Sequence, residues 1–228
     1  MYGLDWTYIF VIIGAGITLL AQALVTGRYQ QYKKIDASGG KSGRDIARKI
    51  LDANGLENVK VQEVAGTLTD HYDPTNKTVN LSTDIYGDSS IASIAVAAHE
   101  CGHAIQDKVG YTFLRIRHKM VPTVNLCSKL GYVVIFIGLI AGLFNVAIIG
   151  LILLGAILVF QLVTLPVEFN ASSRAKKQLI DLGLVNESDS SGVSSMLFAA
   201  ALTYVAALAS SILQILRLFL MISGRRDN

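Results

Sequence analysis

The stretch His99-Glu100-Cys101-Gly102-His103 has the pattern H-E-x-x-H, and it is the most informative segment of the chain. It lies in a run from 90 to 107 that contains no proline and one glycine, which predicts a helix. Residues four apart share a helix face, so the two histidines can hold one Zn²⁺, with Glu100 beside them as a candidate base. The alternative is a surface helix that carries two histidines by chance. Ile91, Ile94, Ala95, Ala97 and Ala98 precede the motif. They predict a buried helix whose polar side chains need partners, which favours the metal site.

The composition is typical of a membrane protein. Of 228 residues, 52% are hydrophobic and 16% are charged, and the mean hydropathy is +0.47. The two cysteines, Cys101 and Cys127, allow at most one disulfide. Because Cys101 lies inside the motif, we expect it to be reduced, in a part of the protein that faces the cytosol. As a fourth metal ligand Cys101 is poorly placed, since its side chain leaves the helix in another direction from the two histidines.

Three apolar runs predict membrane-spanning segments. Residues 6–27 carry no charge and predict a retained anchor. The run 130–167 is uncharged for 38 residues, which as one helix would measure about 57 Å, so we predict a hairpin over 130–165. Its spans would be 130–144 and 147–165, with the turn at Phe144-Asn145. The run 196–222 predicts a last segment that either spans the membrane or re-enters it. The expected fold is a mainly α integral membrane protein with about four transmembrane helices and a small zincin-like α+β cytosolic part.

Residues 28–129 form the largest polar portion, with 14 Lys and Arg and 11 Asp and Glu. The pattern predicts a helix over 44–54, a strand over 59–64 and a hairpin over 67–82 ahead of the motif helix. The basic, amphipathic stretch 111–129 predicts a helix near anionic headgroups. Basic residues directly after the first span place this portion inside the cell. Aromatic residues are not interleaved as a stacking platform, so no nucleic-acid partner is expected.

Residues 166–195 follow the predicted hairpin. Pro166 is expected to end the second span and to open a new helix that Gly183 can end, and the serine-rich residues 186–195 predict a linker. Glu168 lies where the membrane segment ends. It is either a glutamate favoured at a helix start or the third protein ligand that a catalytic zinc requires.

Three segments of the chain resemble a known family. Asp70-His71-Tyr72-Asp73-Pro74, residues 98–106 and residues 166–172 resemble the YugP-type neutral zinc metallopeptidases of bacterial membranes, and the resemblance runs over nearly the whole chain. That family is similar in plan to the HtpX and CAAX prenyl protease group, in which two spans separate H-E-x-x-H from a later glutamate.

The resemblance implies a specific set of site residues. Zn²⁺ would be held by His99, His103 and Glu168, with Glu100 as general base, in a bacterial cytoplasmic membrane. The HtpX-like pattern places an aspartate four residues after the ligand glutamate, where this chain has Ser172. Ser172 and Asn170 are therefore both candidates to orient a ligand histidine.

The expected activity is metal-assisted hydrolysis of peptide bonds near the cytosolic membrane face, in protein or peptide substrates that include membrane proteins. Tyr72, His118 and Arg174 are candidate oxyanion stabilisers, and the sequence does not choose among them. For His71 and Tyr72, a structural surface role is the alternative. The alternative function is a non-catalytic membrane scaffold or interaction protein with a structural zinc, against which the intact Glu100 argues. The substrate and the oligomeric state are not predicted.

Overall fold

The computed structural model describes residues 5–226, which form two compact units. The first unit consists of the chain up to Gln22, Ile116–Leu165 and the chain from Leu202 onward. The second unit consists of Ala23–Arg115 and Pro166–Ala201.

The fold is mainly helical, with one small sheet. Within residues 5–226 the elements are α1 (Tyr8–Tyr32), α2 (Gly43–Ala53), β1 (Lys60–Val64), β2 (His71–Asp73), β3 (Thr78–Ser82), α3 (Thr83–Tyr86), α4 (Ile91–Lys108), α5 (Thr112–Ile140), α6 (Phe144–Asp181) and α7 (Glu187–Arg226). Four of them, α1, α5, α6 and α7, are long and apolar enough to cross a membrane. The predicted mainly α chain, with about four helices able to span a membrane and a small sheet, is confirmed.

In the first unit, α5 and α6 form the expected antiparallel hairpin. The turn lies at residues 141–143, slightly earlier than the predicted Phe144-Asn145, because Gly142 adopts the left-handed conformation that ends a helix (φ +67°). A methyl group built on Gly138 would lie 2.5 Å from the Ala147 nitrogen. One built on Gly150 would lie 2.7 Å from the Gly131 carbonyl oxygen. The glycines therefore allow the two helices to approach closely, as small residues do between membrane helices.

Helices α1 and α7 also lie antiparallel in the first unit. The Arg217 guanidinium lies 4.2 Å from the centre of the Tyr8 ring, and a methyl group on Gly14 would lie 2.9 Å from Ser210 Oγ. Moving along α1 from residue 8 to 14 thus moves backward along α7 from 217 to 210. Helix α7 is continuous over this length and is long and apolar enough to cross a membrane, which favours a spanning last segment over a re-entrant one.

The second unit contains the sheet, with strand order β1-β3-β2. β1 pairs parallel with β3, and β2 pairs antiparallel with β3, with Tyr72 opposite Val79. All five residues of β3 are buried, whereas β1 and β2 form the two edges. The predicted strand and hairpin are confirmed, and β2 is an edge strand, separated from the motif helix in the chain by β3 and α3.

Two serine caps determine where the helices that pack against this sheet begin. Ser42 caps α2 by accepting a hydrogen bond from the Asp45 N–H, and Ile46, Ile50 and Leu51 of α2 are completely buried. Ser90 caps α4 in the same way, through the Ser93 N–H. The motif helix α4 therefore starts at a defined point and is buried along most of its length, as predicted.

Two prolines lie inside continuous helices. Pro166 was expected to break the chain into two helices, but α6 runs through it from Phe144 to Asp181, so this prediction is wrong. Pro122 likewise lies inside α5, so the basic stretch 111–129 and the apolar run after it belong to one helix. A proline removes one helical hydrogen bond. Long helical sequence on both sides and packing within each unit outweigh that loss.

The predicted linker at 186–195 is wrong, because these residues form the first turns of α7. The Asn186 side chain accepts a hydrogen bond from the Asp189 N–H at 2.8 Å, which caps the helix. Asp189 is buried and accepts from the Ser38 N–H at 3.0 Å. Gly192 is packed so tightly that a methyl group there would lie 3.0 Å from Ile91. Tertiary contacts of this kind, which polarity alone does not reveal, make the serine-rich stretch helical.

Candidate metal centre

Helices α4 and α6 bring three metal-ligating side chains of the second unit to one point. One ligand atom from each of His99, His103 and Glu168 lies within 4.8 Å of the other two. The Oε2 atom of Glu168 lies 3.2 Å from His99 Nε2 and 3.5 Å from His103 Nε2. His103 and Glu168 are buried, and His99 is half-buried. Two imidazoles and a carboxylate converging in this way are a donor set suited to Zn²⁺.

The outward-facing nitrogens of both imidazoles are held by other side chains. Ser172 Oγ lies 3.2 Å from His99 Nδ1, and Gln106 Oε1 lies 3.1 Å from His103 Nδ1. The Gln106 amide nitrogen donates to the Val167 carbonyl oxygen at 2.7 Å, which fixes which end of the amide faces His103. Because an amide oxygen only accepts, His103 carries its proton on Nδ1 and leaves the Nε2 lone pair for a metal.

Behind Gln106, the network continues along α6. The Gln106 amide nitrogen also lies 3.0 Å from Asn170 Oδ1, which accepts a second hydrogen bond from Arg174 Nε at 2.7 Å. Of the two residues expected to orient a histidine, Ser172 contacts His99 directly, whereas Asn170 reaches His103 through Gln106. No role for Gln106 is predicted from the sequence. Its position one helical turn after His103, on the same helix face, is the feature that could have indicated one.

The two middle residues of H-E-x-x-H, Cys101 and Gly102, determine how α4 packs against its neighbouring helices. A methyl group on Gly102 would lie 2.5 Å from the Ala171 carbonyl oxygen, so α4 can approach α6 only because residue 102 lacks a side chain. Cys101 is completely buried, and its Sγ lies 3.6 Å from the Ala47 carbonyl oxygen of α2. Burial raises the pKa of the Cys101 thiol. Cys101 therefore faces away from the metal group, as its helical position predicts.

Glu100 is buried between α4 and the edge strand β2. Its carboxyl group accepts a hydrogen bond from the main-chain N–H of Tyr72. Burial raises the pKa of Glu100 to about 7, with His99 acting in the opposite direction and Glu168 and Asp70 adding to the rise. A carboxyl group with a pKa near neutrality can both accept and return a proton at physiological pH.

The D-H-Y-D-P segment builds the hairpin that borders Glu100. Asp70 accepts hydrogen bonds from the Ser82 N–H and hydroxyl at 2.7 and 3.1 Å, and burial raises the pKa of its carboxyl group. Asp73 accepts from the Thr75 N–H at 2.8 Å and so shapes the turn. His71 is exposed, and its Nδ1 lies 2.8 Å from the Thr69 carbonyl oxygen.

The three candidate oxyanion stabilisers have different surroundings. The Tyr72 hydroxyl donates to Asp107 at 2.7 Å, and burial together with this bond raises the pKa of Tyr72. Arg174 donates to Asn170. His118 lies on α5 within the first unit, whereas the metal group belongs to the second. The part of Tyr72 that contacts Glu100 is its main chain, not its hydroxyl.

The fold and site together define an integral membrane protein with a metal centre built from H-E-x-x-H and a distant glutamate. The chain belongs to the family described as "Putative neutral zinc metallopeptidase", whose sequence profile matches residues 7–223. It is 45% identical over 223 residues to the "Putative membrane protease YugP" of Bacillus subtilis (strain 168), covering 97% of this chain and 99% of that protein. No solved structure matches the chain. The metal of the family is zinc, and His99, His103 and Glu168 are positioned to bind it.

Proposed function

We propose that this protein is a zinc-dependent endopeptidase that hydrolyses peptide bonds of proteins or peptides at the cytosolic face of the bacterial cytoplasmic membrane. The observation that carries the proposal is the position of Glu100, which is buried beside the histidine pair and accepts a hydrogen bond from the Tyr72 main-chain N–H. A structural zinc site is normally closed by four protein ligands and needs no base. Three ligands and a buried carboxyl group fit catalysis better than a scaffold.

The side chains of the site divide the chemical work. His99, His103 and Glu168 would hold Zn²⁺, which would serve as a Lewis acid toward the attacking water and the scissile carbonyl group. Glu100 accepts the proton of the attacking water and passes it to the leaving amine. Ser172 and Gln106 hold the Nδ1 atoms, so that both Nε2 atoms stay directed at one point.

The edge strand β2 is the proposed binding surface for the substrate main chain. The Tyr72 N–H points to Glu100, and in a β-strand the N–H and C=O of one residue point to the same side. The open edge of β2 therefore borders the proposed base. An extended peptide that pairs with this edge would bring its main chain next to Glu100. This favours unfolded or extended segments as substrates.

The cytosolic orientation is supported by charge. Residues 28–129 carry 14 Lys and Arg, several of them directly after α1. The antiparallel pairs α1–α7 and α5–α6 are consistent with four crossings, which leave residues 28–111 and 168–187 on one side. Arg225 and Arg226 then lie on the outer side, a smaller charge than the inner one.

The proposal is tested by substrate trapping. A Glu100→Gln variant expressed in its native membrane keeps the ligands but lacks the base, so it should retain proteins that the wild type cleaves and releases. Captured proteins are identified and then incubated with purified, zinc-loaded wild-type protein. Glu63→Gln, at an exposed glutamate of β1, is the matched control and should capture nothing above the wild type. If no captured protein is cleaved although zinc is bound, the scaffold alternative is the better account.

A further inference from the structure

The first unit contains a pocket that the proposed peptidase chemistry does not use. Its volume is about 630 Å³, and it lies between the start of α1 and the last turns of α7. Thr7, Tyr8 and Arg217 are among the residues that line it. The remaining lining residues are Asp5, Trp6, Leu220, Met221, Ser223 and Gly224.

Two buried polar atoms at this pocket lack partners. Thr7 is 3% exposed, and its hydroxyl has no hydrogen-bond partner among residues 5–226. The Arg217 Nε atom is likewise buried without a partner in the described part of the chain. Buried polar groups are almost always hydrogen-bonded, since an unmet one costs on the order of 1–3 kcal/mol. Two unmet groups on one pocket indicate a ligand that supplies acceptor oxygens.

The surroundings of the pocket indicate where that ligand comes from. Trp6 and Tyr8 are 67% and 44% exposed at the start of an apolar helix, the position of the aromatic belt at a membrane surface. Arg217 is near the end of the apolar run of α7, and the Tyr8 ring beneath it fixes its guanidinium. The pocket is therefore at the depth of the lipid headgroups.

We propose that this pocket binds the phosphodiester group of a membrane phospholipid. The guanidinium of Arg217 and the hydroxyl of Thr7 would both donate to phosphate oxygens, the geometry for which arginine is suited. Asp5 also lines the pocket, and its carboxylate accepts from the Thr7 main-chain N–H at 3.0 Å. Hydroxyl groups of a glycerol headgroup can donate to the same carboxylate, so phosphatidylglycerol is the probe of choice. The site rests on the membrane location of the chain and not on peptidase activity.

The test counts lipids that remain bound to the purified full-length protein in native mass spectrometry. We expect wild type to retain phosphatidylglycerol but not diglucosyl diacylglycerol, which has comparable acyl chains and no phosphate. Arg217→Gln should weaken retention by roughly tenfold or more, and Thr7→Val by roughly two- to tenfold, as expected for charged and neutral hydrogen bonds. Thermal unfolding of each variant in the same detergent checks that it is folded.

Matched controls come from the same helix α1. The Arg28 guanidinium donates to Gln31, and the Thr18 hydroxyl donates to the Gly14 carbonyl oxygen, so both groups already have partners. Arg28→Gln and Thr18→Val should retain phosphatidylglycerol as the wild type does. Equal retention by folded Arg217→Gln and wild type would overturn the proposal, as would equal retention of the phosphate-free glycolipid.

Discussion

At the scale of single residues, the metal group owes its geometry to side chains that do not touch the metal. The two Nε2 atoms face Glu168 because the Nδ1 atoms face Ser172 and Gln106. A serine stands where an aspartate occurs in the HtpX-like pattern, so His99 has a neutral partner. His103 has a longer chain of partners, through Gln106 to Asn170 and Arg174. The two histidines are thus oriented differently, His99 by a neutral hydroxyl group and His103 by a hydrogen-bonded amide network.

Zinc affinity should fall in a graded order. Gln106→Ala should weaken zinc binding by about 10–100-fold, because His103 loses the acceptor that fixes its proton on Nδ1. Glu168→Ala removes a ligand and should weaken binding further. Zinc affinity is measured by competition with a chromogenic chelator.

The control for this series is Gln178→Ala, which removes an amide of α6 whose Oε1 accepts from Asn54, away from the metal group. It should bind zinc as the wild type does. Zinc content of Glu168→Ala that is unchanged after mild chelation would remove Glu168 from the ligand set.

In the metal-free protein, Glu100 should make stability depend on pH. Its pKa is about 7 in the fold and would be near its ordinary value of 4.5 when unfolded. Between these values the unfolded chain has lost the proton and the fold still holds it, so stability falls as pH rises through this window. At about 1.4 kcal/mol for each pH unit, the loss by pH 8 is about 3 kcal/mol.

Glu100→Gln cannot ionise and should escape this loss. With zinc removed by a chelator, it should unfold at a higher temperature than the wild type at pH 8 and at a similar temperature at pH 4. Differential scanning fluorimetry in detergent measures both. An equal difference between the two proteins at both pH values would show that Glu100 is not held in a proton-retaining environment.

At the scale of the elements, the decisive contact is the close approach of α4 to α6 at Gly102. Helix α4 supplies both histidines and Glu100, and α6 supplies Glu168 and Ser172. A side chain at position 102 would meet the Ala171 main chain, which cannot rotate away as a side chain can. The spacing of H-E-x-x-H therefore places the two histidine ligands on one face of α4. Gly102, the second variable residue of the motif, sets how close α6 and its ligand Glu168 can come.

Gly102→Ala should separate the two helices and weaken zinc binding. The added methyl group would lie 2.5 Å from the Ala171 carbonyl oxygen, and moving α6 away carries Glu168 with it. We expect zinc affinity to fall by at least the roughly tenfold typical of a disturbed ligand environment. Gly155→Ala, at a glycine of α6 with no atom within 4 Å of the added methyl, is the control. Wild-type zinc affinity in Gly102→Ala would mean that this contact does not position Glu168.

The elements that the sequence predicts well are those with local signals. The serine caps and buried isoleucines define α2 and α4, and the turn residues of 73–76 define the hairpin. Pro166 and the serine-rich start of α7 misled the prediction, because packing keeps both segments helical against their local preference. The roles of Gln106 and Gly102 could not be predicted from the sequence, because their partners on α6 are more than 60 residues away in the chain.

At the scale of the whole molecule, ligand assignment and topology depend on each other. His99 and Glu168 meet at one point, so the chain between them must cross the membrane an even number of times. The two helices of the α5–α6 hairpin are long and apolar enough to supply two crossings. A single crossing would place Glu168 on the other side from His99.

Cysteine labelling on intact cells tests this arrangement. Single cysteines are placed at the exposed positions Lys34, Glu187 and Leu143, in a Cys127→Ser background that keeps the fully buried Cys101. With a membrane-impermeant thiol reagent, the first two should react only after the cells are opened. Leu143, in the hairpin turn, should react from outside. Ser38 is avoided because it donates to the buried Asp189.

The labelling outcomes separate two errors. If Lys34 and Glu187 both react from outside and Leu143 does not, the orientation is reversed and the shared side is kept. If Lys34 and Glu187 differ, the even number of crossings is wrong, and with it the claim that Glu168 and the histidines hold one metal.

The most direct test of the central claim measures zinc content and proteolysis in the same preparation of Glu100→Gln. Zinc is counted by plasma mass spectrometry, and cleavage of a trapped substrate is followed over time, with Glu63→Gln as control. We predict one zinc per chain in the variant, as in the wild type, and cleavage slowed by roughly 10²–10⁴-fold, the contribution of a general base. Cleavage near the wild-type rate by zinc-loaded Glu100→Gln would contradict the assignment of Glu100 as the base.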